Sequence, residues 1–411
     1  MTTRSDVEAR IEETVRASYG RLLAILASST SDIVLAEDVL AEALARALEV
    51  WPTKGVPDNP ESWLITVARN KHRDDVRSAS ARTSQPLTVD PEVVLAEVDP
   101  DVIPDKRLSL MFACAHPAVS ANVRTALILQ TILGLEAKDI GQAFLVPEAT
   151  IAQRLVRAKR RIKETQIPFK IPDRREMPER LDAVLEAIYG AYSAGYPLPA
   201  GLEVHESLAG EALYLACTVA ELLSGEAEAQ GLAALICLSM ARQVSSRDPK
   251  GAYIPLADQD TSTWDRTLIF RGEGYLAKAA SLGSVGRFQL EAAIQSAHCE
   301  RGRTGTTNWD AVEKLYAGLV GLSPILGAQI SYGAVVMNNG RPEEALRYVE
   351  SLDNEAVQRF QPYWVLRGHL FTRLGKAPQA EESFTKAISL TTDPASRTHL
   401  ETLLVNLTFT A

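Results

Sequence analysis

Apolar residues recur at three- and four-residue steps along nearly the whole chain, as in Val39, Leu40, Ala43, Leu44, Ala47, Leu48 and Trp51. That period lines one face of an α-helix, whereas a half-buried strand alternates every second residue, and long alternating runs rich in β-branched residues are absent. The chain is therefore expected to be all-α. Its 411 residues exceed one typical core, so two or more domains are expected.

Proline and glycine divide the pattern. Asp32 marks the start of the helix just described or of a short turn before it, and Pro52 with Gly55 and Pro57 ends it. Asp58-Asn59-Pro60-Glu61-Ser62 reads as a turn opening a second helix over about 62–78. Pro86, Pro91, Pro100 and Pro104, among six acidic residues and a single Arg82, make 81–105 an acidic linker with a short helix at 93–98. Helical pattern resumes at 106–164, with breaks at Pro117, Gly134 and Pro147, and a second junction carries Pro168, Pro172 and Pro178. Beyond it the helical pattern continues to the end, interrupted by the irregular "SSRDPKGAYIPLADQDTSTW".

The second break frames a helix-turn-helix. "EAKDIGQAFLV" and "PEATIAQRLVRAKRR" read as two helices around Pro147, with Ile140 and Phe144 packing against Ile151 and Leu155. In such a motif the second helix enters the DNA major groove. Thr150, Gln153, Arg154 and Arg157 fall opposite the apolar face, Arg suiting guanine and Gln adenine. Lys159, Arg160, Arg161 and Lys163 follow where phosphate contacts are expected. A charged helix end facing only solvent and its own dipole is the competing reading.

These residues resemble the extracytoplasmic-function (ECF) group of bacterial RNA polymerase sigma factors. "AEDVLAEALARALEVW" (36–51) is similar to its second conserved region, "PESWLITVARNKHRDDVRS" (60–78) to its -10-reading helix, and 134–163 to its domain-four helix-turn-helix. The resemblance extends through "IPDKRLSLMFACAHPAV" and "DQDTSTWDRTLI" to a subgroup with a long fused helical extension. It implies sigma domain 2 at 1–80, the linker at 81–105, sigma domain 4 at 106–168 and the extension at 169–411.

Carried onto this chain, the resemblance puts core-polymerase contacts on Glu37, Asp38, Leu40, Glu42, Leu44 and Arg46, the two leucines being equally suited to the core. The -10 contacts fall on Lys54, Asp58, Asn59, Arg69, Asn70, Lys71, Arg73 and Arg77. A loop at 54–61 would capture a flipped base, although Asp58 and Asn59 also suit a turn. The -35 contacts fall on Glu148, Thr150, Gln153, Arg154, Arg157, Lys159, Arg160 and Arg161. Ala152 stands where many members carry a basic residue, so one groove contact is missing or supplied elsewhere.

In the extension, Gly340-Arg341-Pro342-Glu343-Glu344-Ala345 and Gly375-Lys376-Ala377-Pro378-Gln379-Ala380 recur 35 positions apart, a tetratricopeptide-like period over about 325–411. Such scaffolds bind peptides or helices, so a regulatory protein docking there, or contact in cis, is expected to control the sigma part. Asp258, Asp260 and Asp265 around Trp264 look like a site, or cap helices and pair with Arg266 and Arg271.

Neither the four scattered cysteines nor any other spacing suggests a metal, cofactor or catalytic site, so the chain is not expected to be an enzyme. With no signal peptide or spanning run, a cytoplasmic location without membrane contact is expected. The expected function is promoter recruitment of core RNA polymerase. Two other readings compete, a helix-turn-helix regulator independent of polymerase and a tetratricopeptide scaffold.

Overall fold

The structure is a computed structural model that describes residues 19–20, 22–27, 30, 32–83, 105–144, 146–165, 172–195, 208–352 and 355–410. The linker, except 81–83 and 105, lies outside these, as does its expected short helix at 93–98. The described residues are helical with no sheet, an isolated Arg247–Tyr253 bridge aside. Two compact units are present, 1–196 with 204–218, and 197–203 with 219–411.

In the first unit, helical residues 19–20 and 22–27 precede α1 (Ile33–Lys54) and α2 (Pro60–Thr83). Asp32 caps α1, its carboxylate accepting from Val34 N–H at 2.9 Å and Leu35 N–H at 3.1 Å. The helix runs through Pro52 rather than ending there. So near the terminus the missing N–H removes only one ladder bond, and Gly55 closes the turn by donating to Trp51 O at 2.9 Å. Buried Trp51 meets Trp63 edge-on at 5.4 Å, which joins α1 to α2.

The four helices α3 (Lys106–Cys114), α4 (Ala121–Thr131), α5 (Ala137–Ala143) and α6 (Glu148–Thr165) follow. Asp105 caps α3 and also pairs with Arg107, which reaches Glu211 at 2.8 Å. Next, α7 (Met177–Ala194) packs on α3, α4 and α5. Arg180 donates to Phe112 O at 3.3 Å, and Gly190 leaves room for Leu129. The segment that the proline junction assigned to the extension thus packs on the first helix of the helix-turn-helix and the two helices before it, within one unit. Helix α8 (Leu208–Leu222) begins in this unit.

The second unit is built around α9 (Ala227–Met240), buried along nearly its whole length between α10 (Arg266–Ser281) and α11 (Arg287–Cys299). Glu228 of α9 caps α11, accepting from Phe288 N–H at 2.9 Å and Gln289 N–H at 3.1 Å. The irregular stretch before α10 contains three short 3₁₀ turns. After α12 (Arg301–Thr304) and α13 (Trp309–Leu322) come two helix hairpins, α14 (Leu326–Asn338) with α15 (Pro342–Glu350), and α16 (Gln361–Arg373) with α17 (Ala377–Leu390), closed by α18 (Pro394–Thr410).

The hairpins repeat in packing as well as in sequence. Gly333 lies against Val349, and Gly368, 35 residues on, lies against Phe384, with Cβ-to-side-chain distances of 2.6 and 2.5 Å for an added methyl. Ala345 and Ala380, equally offset, are both fully buried. Gly340 and Gly375 turn the hairpins at φ 79° and 68°, where a side chain would be strained. All four cysteines are reduced and buried; burial pushes the Cys114 thiol up, and the Cys299 thiol up to about 11.

Candidate nucleic-acid interface

The helix-turn-helix depends on a close backbone approach. Gly141 of α5 faces the start of α6, where a methyl would sit 2.7 Å from Val146 O and 3.3 Å from Glu148 N. Val146 N–H donates to Gly141 O at 2.9 Å, fixing the turn. Ile151, Leu155, Ala158 and Ile162 form the buried stripe of α6, and Ile140 is fully buried in α5. Each of the larger side chains contributes about 1.5–3 kcal/mol on burial.

Phe144 corrects one expectation. It is 39% exposed at the C-cap of α5, because the helix ends at Ala143 and its last residue turns away from the packed face. Ile140 remains in the expected core.

Opposite the stripe, Glu148, Gln153, Arg157, Arg160 and Arg161 are exposed, while Thr150 and Arg154 are half-buried. Arg160 pairs with Glu164 at 3.1 Å near the helix end. Lys159 points elsewhere: its ammonium donates to both carboxylate oxygens of Glu37 at 2.8 and 3.0 Å, across 122 residues. Nothing local in the sequence signals that pair.

On α1, Asp38, Glu42 and Arg46 are exposed, Leu44 is half-buried and Leu40 is fully buried. Leu40 thus packs the helix into its own core and offers no area to a partner in this arrangement. Glu42 reaches Lys71 of α2 at 3.1 Å, and Arg46 reaches Glu49 at 2.7 Å. Along the loop into α2, Lys54, Asp58 and Asn59 are exposed. Asn59 Oδ1 caps the helix by accepting from Ser62 N–H at 3.0 Å. Arg69, Asn70 and Arg73 are exposed on α2, and the Arg77 side chain lies outside the described residues.

In the extension, Asp260 and Asp265 are caps, accepting from Ser262 N–H at 2.9 Å and Thr267 N–H at 2.8 Å. Arg271 turns to Glu221 and Tyr275. Arg301 does what the aspartate spacing could not signal: it donates to Leu256 O, Ala257 O and Gln259 O at 2.6–3.0 Å and stacks on Trp264 at 5.2 Å. Among the described residues no group of three His, Cys, Asp or Glu could hold a metal, and no helix is long and apolar enough to cross a membrane.

Residues 14–82 match sigma-70 region 2, and residues 180–280 match a family of unknown function, DUF6596. The uncharacterized protein R00370 of Rhizobium meliloti (strain 1021) is 36% identical over 385 residues, 91% of this chain and 90% of its own. The probable ECF RNA polymerase sigma factor SigI of Mycobacterium tuberculosis, in strains CDC 1551 / Oshkosh and ATCC 25618 / H37Rv, is 29% identical over 162 residues, 38% of this chain and 55% of its own. Along nearly its whole length the chain belongs to one family with the Rhizobium meliloti protein, and its N-terminal segment is similar to sigma-70 region 2.

Proposed function

We propose that the protein is an alternative sigma factor that binds core RNA polymerase, directs it to specific promoters and helps melt the -10 region. Polymerase meets the exposed Asp38, Glu42 and Arg46 of α1, with Glu37 once it is free of Lys159. Charge complementarity to a basic partner favours that acidic surface. The loop at 54–61 and Arg69, Asn70 and Arg73 take the opened -10 strand. On α6, Gln153, Arg154 and Arg157 read -35 bases, and Arg160 and Arg161 grip phosphates.

The observation that carries this reading is the division of α6, apolar along 151, 155, 158 and 162 and polar along 153, 157 and 160, in a chain whose residues 14–82 match sigma-70 region 2. A polymerase-independent regulator has no use for the second feature. Run-off transcription with the full chain plus core polymerase, on a library of promoter templates, tests it: promoter-dependent transcripts are expected. Their absence from the full chain and from a chain ending after Leu222 would overturn the reading.

The extension regulates this activity through its tetratricopeptide-like hairpins, by docking a partner protein or by contact in cis. Ending the chain after Leu222 keeps α7 over α4, where an earlier cut would uncover Leu129 and Phe112. Promoter output should change on that truncation, in cells or in the purified system. Identical output in both removes the regulatory role.

A further inference from the structure

The irregular stretch before α10 is held unevenly. Its second half is bolted down, because Arg301 takes the carbonyls of Leu256, Ala257 and Gln259, and Trp264 is only 4% exposed. Its first half, 247–254, has no buried residue. That half therefore contributes little apolar burial to the fold.

The same half is nevertheless shaped by its own bonds. Ile254 N–H donates to Ser246 O and Asp248 N–H to Ala252 O, both at 2.9 Å, and Gly251 makes the turn at φ 84°. The Asp248 carboxylate accepts from Lys250 N–H and Ala252 N–H, both at 2.8 Å, and Arg247 donates to Gly251 O at 3.1 Å. The result is a short finger on which Arg247 and Tyr253 stand opposite each other in an antiparallel bridge.

Both residues reach α18. Across 146 positions Arg247 donates to Asp393 Oδ1 at 2.8 Å, and the Tyr253 ring meets His399 edge-on at 5.4 Å. Asp393 keeps its place without the arginine, since its other oxygen accepts from Ser396 N–H at 2.8 Å and from Ser396 Oγ–H at 2.6 Å. Burial, then His399 and Arg373, lower the His369 imidazole of α16, which places the second hairpin beside the same spot. The Arg247 and Asp393 side chains are 22% and 31% exposed, where an ion pair adds little to stability. Finger and helix are thus two self-sufficient surfaces, joined by a charge pair and a ring contact, as a ligand is joined to its site.

We infer that Asp393 and His399 form a docking seat for a turn of a partner protein that presents an arginine opposite an aromatic ring, and that residues 247–253 are the seat's internal competitor. The inference deepens the partner docking proposed above and rests on that reading of the extension. The partner's guanidinium takes Asp393, its ring takes His399, and the finger is displaced. An acidic segment is repelled by the Asp393 carboxylate.

A peptide copying residues 246–254, closed by a disulfide between added terminal cysteines, is the probe, titrated into the full chain and followed by NMR. The four native cysteines are buried, so they do not exchange with it. A tethered finger competes at an effective concentration of about millimolar, so the parent should bind the probe about tenfold or more weakly than a chain carrying Arg247→Ala and Tyr253→Ala. Neither position lies in the core. Asp393→Asn, added to that double variant, keeps a capping oxygen but drops the charge and should reverse the gain. Alanine in place of arginine in the probe should do the same. Equal binding by parent and double variant, no binding by the double variant, or binding indifferent to Asp393→Asn overturns the seat. If circular dichroism shows the double variant to be misfolded, Arg247→Ala alone decides by the same outcomes. Binding is read without polymerase, so transcripts absent from every chain sink the sigma reading and leave the seat standing. Probe binding as expected, with promoter output unmoved by the double variant, keeps the seat and removes its regulatory role.

Discussion

Two sets of arginines in this molecule behave differently. In the second unit, arginine is an internal fastener: Arg301 holds three carbonyls, Arg373 donates to Met337 O at 3.0 Å, and Arg367 stacks on Tyr363, Trp364 and Phe371 within 5.9 Å. On α6 of the first unit, Arg157 and Arg160 stand exposed on a helix face that buries only aliphatic side chains. Where carbonyls and aromatic faces surround it, arginine contributes to stability; on α6, Arg160 has only the exposed Glu164 beside it, and these arginines are the ones proposed to meet DNA. Basic composition alone does not separate these cases.

The sharpest way to break that contrast compares stability with binding. Phe384→Ala removes a ring buried against Gly368 and should cost about 3–5 kcal/mol in urea denaturation. Arg157→Ala should stay within about 0.5 kcal/mol of the parent. Equal losses would mean that α6 is held by its polar face and is no reader.

Next in size is a pH effect that the internal arginines help create. Burial, then Arg242 and Arg301, lower the His298 imidazole to about 4, so it is neutral in the folded protein. An unfolded histidine titrates near 6.5, so the unfolded chain binds the extra proton between these values. The full contribution is present above about pH 6.5 and falls away as pH drops toward 4, by about 3 kcal/mol in all. His298→Gln should flatten that part of the stability–pH curve; an unchanged slope would remove His298 from the account.

Arg301→Ala should lower stability by about 2 kcal/mol, because three carbonyls lose a charged donor. Arg301→Lys should recover little, since an ammonium lacks the planar fork that reaches all three. Recovery by lysine would mean that charge, not shape, closes the loop.

Smallest in energy is the division within α6. Arg154→Ala and Arg157→Ala should each cost about 1–2 kcal/mol in discrimination between -35 sequences, measured by competition binding of the polymerase complex. Arg160→Ala should weaken all sequences alike and reduce the salt dependence. A uniform loss from Arg157→Ala would reassign it to phosphates.

Local rules made much of this legible. The stripe of α6 and the cap at Asp32 follow from periodicity and side-chain chemistry, which act within a few residues. Phe144 escaped because the periodicity runs the helix on to Val146, three residues past the end of α5. Leu40 and Leu44 share one stripe, yet one is sealed and the other half-open, a difference set by what packs above them. The Glu37–Lys159 pair and the Arg301 loop brace depend on partners 122 and about 44 positions away, where spacing carries no information. The polymerase and -10 residues came from family resemblance alone; the structure adds their exposure and their pairings.

The buried cysteines carry a consequence for signalling. Oxidants attack accessible thiolates, and here all four sulfurs are enclosed, with Cys114 and Cys299 held further toward the protonated thiol. Peroxide or a disulfide-forming reagent should leave the folded protein unmarked. If oxidative stress governs this protein, cysteine chemistry within its folded state is not the sensor.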